Sequence, residues 1–291
     1  MPLSQFIGII GLGLIGGSLA LALRRARPGL RILGVDVDAG ALEEALAARA
    51  IDSAAPPASA PLSDCDLVVL AQPAGALLEA VLPTAARMRP GAVLTDVCGS
   101  KEAVCARAAR QDRVVFVGAH PMAGTEFRGF AAASPGLFQG ATVAVCPPVG
   151  ADGDRQAAVA AVKDLWTAAG AVKLLDVDPA GHDSAVTFAS HLPYLAAAMV
   201  VESLSEVADI APLAAELAAG GFRDTTRLAG DGTVGGAAAL NQHIPAAARK
   251  LAERIRSLAD QLAKDPNKAL ERLGHLADAR RRMRLPPIRT K

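Results

Sequence analysis

Aromatic residues are scarce in this chain: one Trp, one Tyr and seven Phe among 291 residues. Few rings mean few stacking platforms for bases. A balance of 30 basic against 29 acidic side chains, net +1, leaves no electrostatic footprint for a phosphate backbone. Nucleic acid is therefore not an expected partner. The one basic cluster, Arg280, Arg281, Arg282 and Arg284, reads as a solvated tail. Cysteine is sparse as well. Cys65, Cys98, Cys105 and Cys146 form no CxxC pair and no Cys/His spacing that suits a metal. That argues against a disulfide framework and a bound metal, and suits reduced thiols in a cytoplasmic protein. What the chain has in quantity is small and apolar, 52% hydrophobic and rich in Ala, Val and Leu.

Charge is missing altogether from residues 6–23, a length that raises a membrane span or a signal peptide. Five glycines in that run make a poor helix, and Arg24, Arg25 and Arg27 follow it, whereas a signal peptide carries its cations first. No membrane association is expected. The same run has a better explanation. Phe6–Ile10 is a strand pattern, Gly11-x-Gly13-x-x-Gly16 a turn, and an apolar helix and a second strand ending at Asp36 follow. Gly11 permits the tight turn, Gly13 lets backbone approach a pyrophosphate, and Gly16 lets helix and strand pack closely. The helix N-terminus offers unpaired N–H groups to phosphate. Asp36, 20 residues beyond Gly16, is placed to accept from the adenosine ribose hydroxyls. A carboxylate there repels a 2′-phosphate, and no Arg or Lys follows at Val37 or Asp38, so NAD is expected rather than NADP. The candidate cofactor contacts are Gly11, Gly13, Leu14, Ile15, Gly16, Asp36 and Ser100.

Short apolar runs at 5–10, 31–35, 66–71, 92–96, 114–118, 141–146 and 171–175 alternate with helical patterns near 15–26, 39–49, 74–88, 101–110 and 153–169. That alternation implies an α/β fold, a Rossmann-type parallel sheet covered on both faces. From about Asp178 strand-like runs vanish. Helical patterns at 180–206, 211–219, 236–262 and 267–284 take over, with a kink expected at Pro193. The expected division is a dinucleotide-binding domain over 1–177 and a helical domain for substrate and dimerisation over 178–291.

Ligands of parallel sheets sit at the carboxyl ends of the strands. There the chain places Ser100-Lys101 after one strand and His120, Thr125 and Glu126 after the next. A histidine between a buried strand and a Pro/Gly-rich turn suits general acid–base work. In the helical half, Arg223 and Arg227 beside a glycine pair suit a carboxylate, or else are solvated. His182-Asp183 is a candidate helix cap with a surface histidine, and His243 and His275 have no evident role.

Five segments, GLGLIGGS (11–18), DVCGSK (96–101), HPMAGTE (120–126), HDSAV with SHLPY (182–194) and GFRDTTRLA (221–229), together resemble the prephenate/arogenate dehydrogenase family of tyrosine biosynthesis. The resemblance implies oxidation of a cyclohexadienol at its 4-hydroxyl, hydride transfer to the nicotinamide and loss of the ring carboxylate as CO2. It implies that His120 takes the hydroxyl proton, that Ser100 holds His120 and the nicotinamide end in register, and that Arg227 pairs with the ring carboxylate. His191 then lines the same pocket, and Thr125 and Glu126 lie near the substrate side chain. It also implies a homodimer. The chain departs from the family where relatives commonly carry Asp-Pro and then Met-Trp: residues 230–236 read Gly-Asp-Gly-Thr-Val-Gly-Gly. An aromatic pocket wall is expected to be missing there. No fused chorismate mutase or C-terminal regulatory domain is expected. The alternatives are a two-domain β-hydroxyacid-type NAD(P) dehydrogenase, which would use a lysine of its helical half, and a non-catalytic NAD-binding protein.

Overall fold

The computed structural model describes residues 5–150, 153–207 and 209–284. Two compact units divide it between Ile244 and Pro245.

In the first unit, β1 (Phe6–Ile10), α1 (Leu14–Ala26), β2 (Arg31–Val35), α2 (Ala39–Ala47) and β3 (Ser53–Ala55) lead to β4 (Leu67–Leu70). Next come α3 (Ala74–Arg87), β5 (Val93–Asp96), α4 (Glu102–Ala108) and β6 (Val115–Pro121), then β7 (Thr142–Cys146), α5 (Gly153–Ala168) and β8 (Lys173–Asp176). They form one eight-stranded sheet in the order β3-β2-β1-β4-β5-β6-β7-β8. Strand order reverses between β1 and β4, whose carboxyl ends align at Ile10 and Leu70. That reversal opens a crevice at the glycine turn. The short edge strand β3 escaped the sequence pattern because Ser-Ala-Ala carries no apolar alternation.

Side-chain alternation explains the two covered faces. Ile7, Ile9, Leu67 and Val69 join Leu19 and Leu23 of α1 and Val162 and Trp166 of α5 in one apolar layer. Ile10, Val68, Leu70 and Leu94 join Leu77 and Val81 of α3 and Val104 of α4 in the other. Each fully buried Leu or Ile contributes roughly 1.5–3 kcal/mol, so small side chains in number replace aromatic bulk. Cys65, Cys98 and Cys146 are buried free thiols, and burial pushes Cys65 up to about 12.

The sheet is not wholly parallel, as the sequence pattern had implied. β7 runs antiparallel to β6. Between them lies only a short 3-10 turn at Phe130–Ala132, with no crossover helix, so the chain returns directly beside its predecessor. β6 also extends past the expected residue 118, pairing His120 with Ala144.

Helices alone follow β8. α6 (Pro179–Val186) runs through a π turn (Thr187–His191) into α7 (Leu192–Ser205), and α8 (Ala211–Glu216) and α9 (Gly220–Thr226) come next. A 3-10 turn (Arg227–Gly230) leads to α10 (Gly232–Leu240). The kink expected at Pro193 takes the form of the π turn, since Pro193 has no N–H for the carbonyl four residues back. Pro179–Ser205 is long and apolar enough to cross a membrane by composition. Yet His182, Asp183, Thr187 and His191 within it are buried among protein groups. The helix expected over 236–262 is broken at Asn241, whose Oδ1 accepts from His243 N at 3.0 Å.

The second unit holds α11, which begins at the unit boundary (Ile244–Lys264), and α12 (Pro266–Arg282). Asp265 caps α12, and Arg272 reaches back to Gln261 Oε1 at 2.7 Å. Arg280–Arg282 belong to the last helical turn, where cations suit the helix dipole, rather than to a tail.

Candidate active site

At the glycine turn the three glycines meet three different surroundings. Gly11 has φ +97°, and a Cβ there would lie 2.7 Å from the Ala71 carbonyl oxygen. A Cβ on Gly16 would overlap the Gly11 carbonyl. Gly13, by contrast, faces open space, with nothing within 4 Å of a built Cβ. No side chain caps the α1 N-terminus, which begins at Leu14, Ile15 and Gly16 and carries no acid in its first turn. An uncapped helix N-terminus behind an open glycine has the form of a phosphate cradle. Asp36 accepts from Leu12 N at 2.6 Å and from Asp38 N at 2.9 Å, fixing the carboxylate at the end of β2. The buried Oε1 of Gln72, next to the turn, has no hydrogen-bond partner among the described residues. Open backbone, free helix N–H groups and an unsatisfied acceptor fit a dinucleotide.

Along the sheet from this cradle, β6 delivers His120. Its Nδ1 lies 2.9 Å from His182 Nε2, and His182 Nδ1 lies 2.7 Å from Asp183 Oδ1. Asp183 also accepts from Ser100 Oγ at 2.6 Å, from Lys101 N at 2.7 Å and from Glu102 N at 3.1 Å. These donors, the His182 ring and the Ser100 hydroxyl foremost, outweigh burial and hold the Asp183 carboxyl down at about 2. Ser100 therefore contacts Asp183 rather than His120. Its link to the imidazole runs through Asp183 and His182. Burial, then the His182 ring, then Lys101 and His191 push His120 well below the usual histidine value, which favours the neutral imidazole at physiological pH.

Beneath it lies a buried ion pair. Lys101 Nζ donates to Asp96 Oδ2 and, at 2.8 Å, to the Ala119 carbonyl. Asp96 Oδ1 accepts from Ala119 N at 3.0 Å and Oδ2 from Cys98 N at 2.9 Å. The pair fastens the end of β5 to the residue before His120.

His191 comes in from the π turn. Its Nδ1 lies 3.1 Å from Asn241 Nδ2, which also faces the Asp183 carbonyl at 2.9 Å and Thr187 Oγ1 at 3.0 Å. Asn241 Oδ1 takes the His243 N–H, which fixes the amide's orientation. His191 Nδ1 is thus an acceptor, and the neutral ring carries its proton on Nε2. Burial lowers His191 too.

α10 closes over these groups because it is made of small residues. Ala237 Cβ and His120 Nε2 lie 2.8 and 3.5 Å from where a Gly99 Cβ would stand. The Tyr194 hydroxyl sits 2.8 Å from a built Gly235 Cβ, and the Arg128 guanidinium covers Gly232. The 230–236 segment that lacks proline and tryptophan is therefore the start of a helix whose glycines admit Tyr194 and Arg128. Thr125 and Glu126 are half-buried on the loop after His120. Arg223 and Arg227 are exposed, on α9 and on the turn that packs against α7, and no hydrogen bond joins them to His120 or His191 among the described residues.

Residues 19–175 match the family model for the prephenate dehydrogenase nucleotide-binding domain, and residues 178–269 that for the prephenate dehydrogenase dimerization domain. The chain belongs to the prephenate dehydrogenase family. It is 35% identical over 224 residues to a prephenate dehydrogenase of Bacillus subtilis, covering 76% of this chain and 59% of that relative's length. Its fold matches Synechocystis arogenate dehydrogenase with a TM-score of 0.74 at 30% identity, covering 95% and 98% of the two chains. It also matches prephenate dehydrogenase from Aquifex aeolicus in complex with hydroxyphenyl propionate and NAD+, with a TM-score of 0.81 at 25% identity and 96% and 99% coverage.

Sequence reasoning missed His182, Asp183, Asn241 and the His243–Glu102 contact of 2.9 Å. Asp178-Pro179 was the available signal. Asp178 is the α6 cap, accepting from Gly181 N, with Pro179 in the first turn. His182 and Asp183 therefore lie inside the helix, both buried, and are not its cap.

Proposed function

We propose that this protein is an NAD-dependent dehydrogenase that oxidatively decarboxylates prephenate, arogenate or both, to 4-hydroxyphenylpyruvate or tyrosine. The observation that carries it is the hydrogen-bonded chain from His120 through His182 to Asp183, on the sheet that also carries the open glycine cradle. NAD bound in the cradle supplies the hydride acceptor. His120 Nε2 accepts the proton of the substrate's 4-hydroxyl as the carbon beneath it loses hydride. His191, with its proton on Nε2, offers a donor to the same substrate. Arg227, with Arg223 beside it, pairs with the ring carboxylate and orients the ring. Because that carboxylate must leave as CO2, the arginine acts through placement rather than by stabilising the bound acid. Thr125 and Glu126 face the side chain. Glu126 favours the ammonium of arogenate over the keto group of prephenate, and both substrates are turned over.

Residues 1–177 form the NAD-binding domain and 178–291 the substrate and dimerisation domain of a cytoplasmic homodimer. Exposed Met199, Val200, Val201, Ile210, Leu213 and Leu217 of the helical half supply apolar surface for a second copy. Purified protein given NAD and each substrate separately tests the function. NADH formation with release of CO2 is expected from both. Tight NAD binding without turnover of either would refute the assignment.

A further inference from the structure

We propose that His182 and Asp183 fix the tautomer of His120, so that the Nε2 atom against Gly99 carries a lone pair and not a proton. This rests on His120 as the base of the proposed reaction, and it adds two positioning residues to that reaction. Asp183 anchors the chain of hydrogen bonds. Its two oxygens meet Ser100 Oγ, two backbone N–H groups and His182 Nδ1, and an ionised carboxylate can only accept. His182 Nδ1 must then be the donor across 2.7 Å, since a lone pair there would face a carboxylate oxygen.

In a ring with one proton, Nε2 is left as an acceptor. It faces His120 Nδ1 at 2.9 Å, so His120 donates from Nδ1. The remaining nitrogen of His120, Nε2, is the one within 3.5 Å of the Gly99 Cβ position, and it is bare. When the substrate O–H bond breaks and Nε2–H forms, His120 becomes an imidazolium whose Nδ1–H already has its acceptor in place. No reorganisation is needed at that moment. A second proton on His182 would invert the pair, forcing the His120 proton onto Nε2 and disabling the base. The charged and titratable groups around His120 are His182, Lys101, His191 and Asp183. Of these only His182 reaches an imidazole nitrogen by hydrogen bond among the described residues. Asn241 Nδ2, on the Asp183 carbonyl, and Ser100 keep the acid in register.

The test is the tautomer itself, read by two-bond proton–nitrogen NMR on histidine-labelled protein at neutral pH, with kcat and KM measured in parallel. Wild type is expected to show Nδ1–H on both His120 and His182. His182→Leu removes the acceptor and is expected to populate the Nε2–H form of His120, with kcat falling roughly 10²–10⁴-fold while KM stays within about 3-fold. His182→Gln restores a carbonyl at the Nε2 position and is expected to recover kcat to within about 10-fold of wild type. Nε2–H on His120 in wild type overturns the proposal whatever the variants do, even if they fail to fold. So does an unaltered His120 tautomer with unaltered kcat in a folded His182→Leu. Predicted tautomers in a protein that turns over neither substrate would refute the proposed function and leave the tautomer assignment standing.

Discussion

Asp183, His120 and His191 bind protons differently in the folded chain and in the unfolded one, and the signs agree. Asp183 falls from 3.8 to about 2, so its ionised form stabilises the fold above the unfolded value. That contribution, about 2 kcal/mol, is lost as pH drops through the folded value. His120 and His191 are lowered from 6.5, so the unfolded state binds protons that the folded state refuses below that pH. Both effects reduce stability in acid, in two stages. Thermal melts are expected to fall below about pH 6.5 and again below about pH 4. A melting temperature flat from pH 7 to about pH 3 would contradict this. The same lowered His120 predicts kcat/KM independent of pH through neutrality, with its acid limb below 6.5. An acid limb centred above 7 would show a different base. At Glu126 the expectation concerns selectivity. Glu126→Gln is expected to lower the arogenate-to-prephenate ratio of kcat/KM, and an unchanged ratio would remove that carboxylate from specificity.

At the scale of elements, the glycine turn separates folding from binding. Gly13→Ala puts a methyl into open space, so the protein should fold and melt as wild type yet lose NAD affinity. Gly16→Ala drives a methyl into the Gly11 carbonyl, so it should lose soluble protein or several degrees of melting temperature first. Equal NAD affinity in wild type and Gly13→Ala would place the cofactor elsewhere. The turn was legible in sequence because it is local: strand, glycines, helix and acid lie within one βαβ unit. His120 was legible for a related reason, as a polar residue at a strand end. The His182–Asp183 pair was not, because its meaning depends on α6 meeting the β5–α4 loop more than eighty positions earlier in the chain. The break at Asn241 had a local sign, an Asn four residues before Pro245, hidden by alanine-rich stretches on both sides. The antiparallel return of β7 had none, since a strand's own side chains do not encode its direction.

For the molecule as a whole, the alanine-rich composition settles where apolar surface remains. Helices of small residues bury little of themselves. α7 to α9 leave Met199, Ile210 and Leu213 exposed, and α11 and α12 leave Ile255, Leu262, Leu270 and Leu276 exposed. Sedimentation at micromolar concentration is expected to give a dimer of the 29.6 kDa chain, and a single 29.6 kDa species would contradict it. The dimer and the chemistry are separate matters. In the proposed function a dinucleotide cradle and a neutral histidine base act together in one chain. Its most direct test is kcat for NADH formation by wild type and His120→Asn at saturating NAD, with the NAD Kd measured on the same preparations. The expected result is a loss of roughly 10²–10⁴-fold in kcat with Kd unchanged within about 2-fold. A His120→Asn protein that binds NAD and turns over at the wild-type rate would show that the proton goes elsewhere.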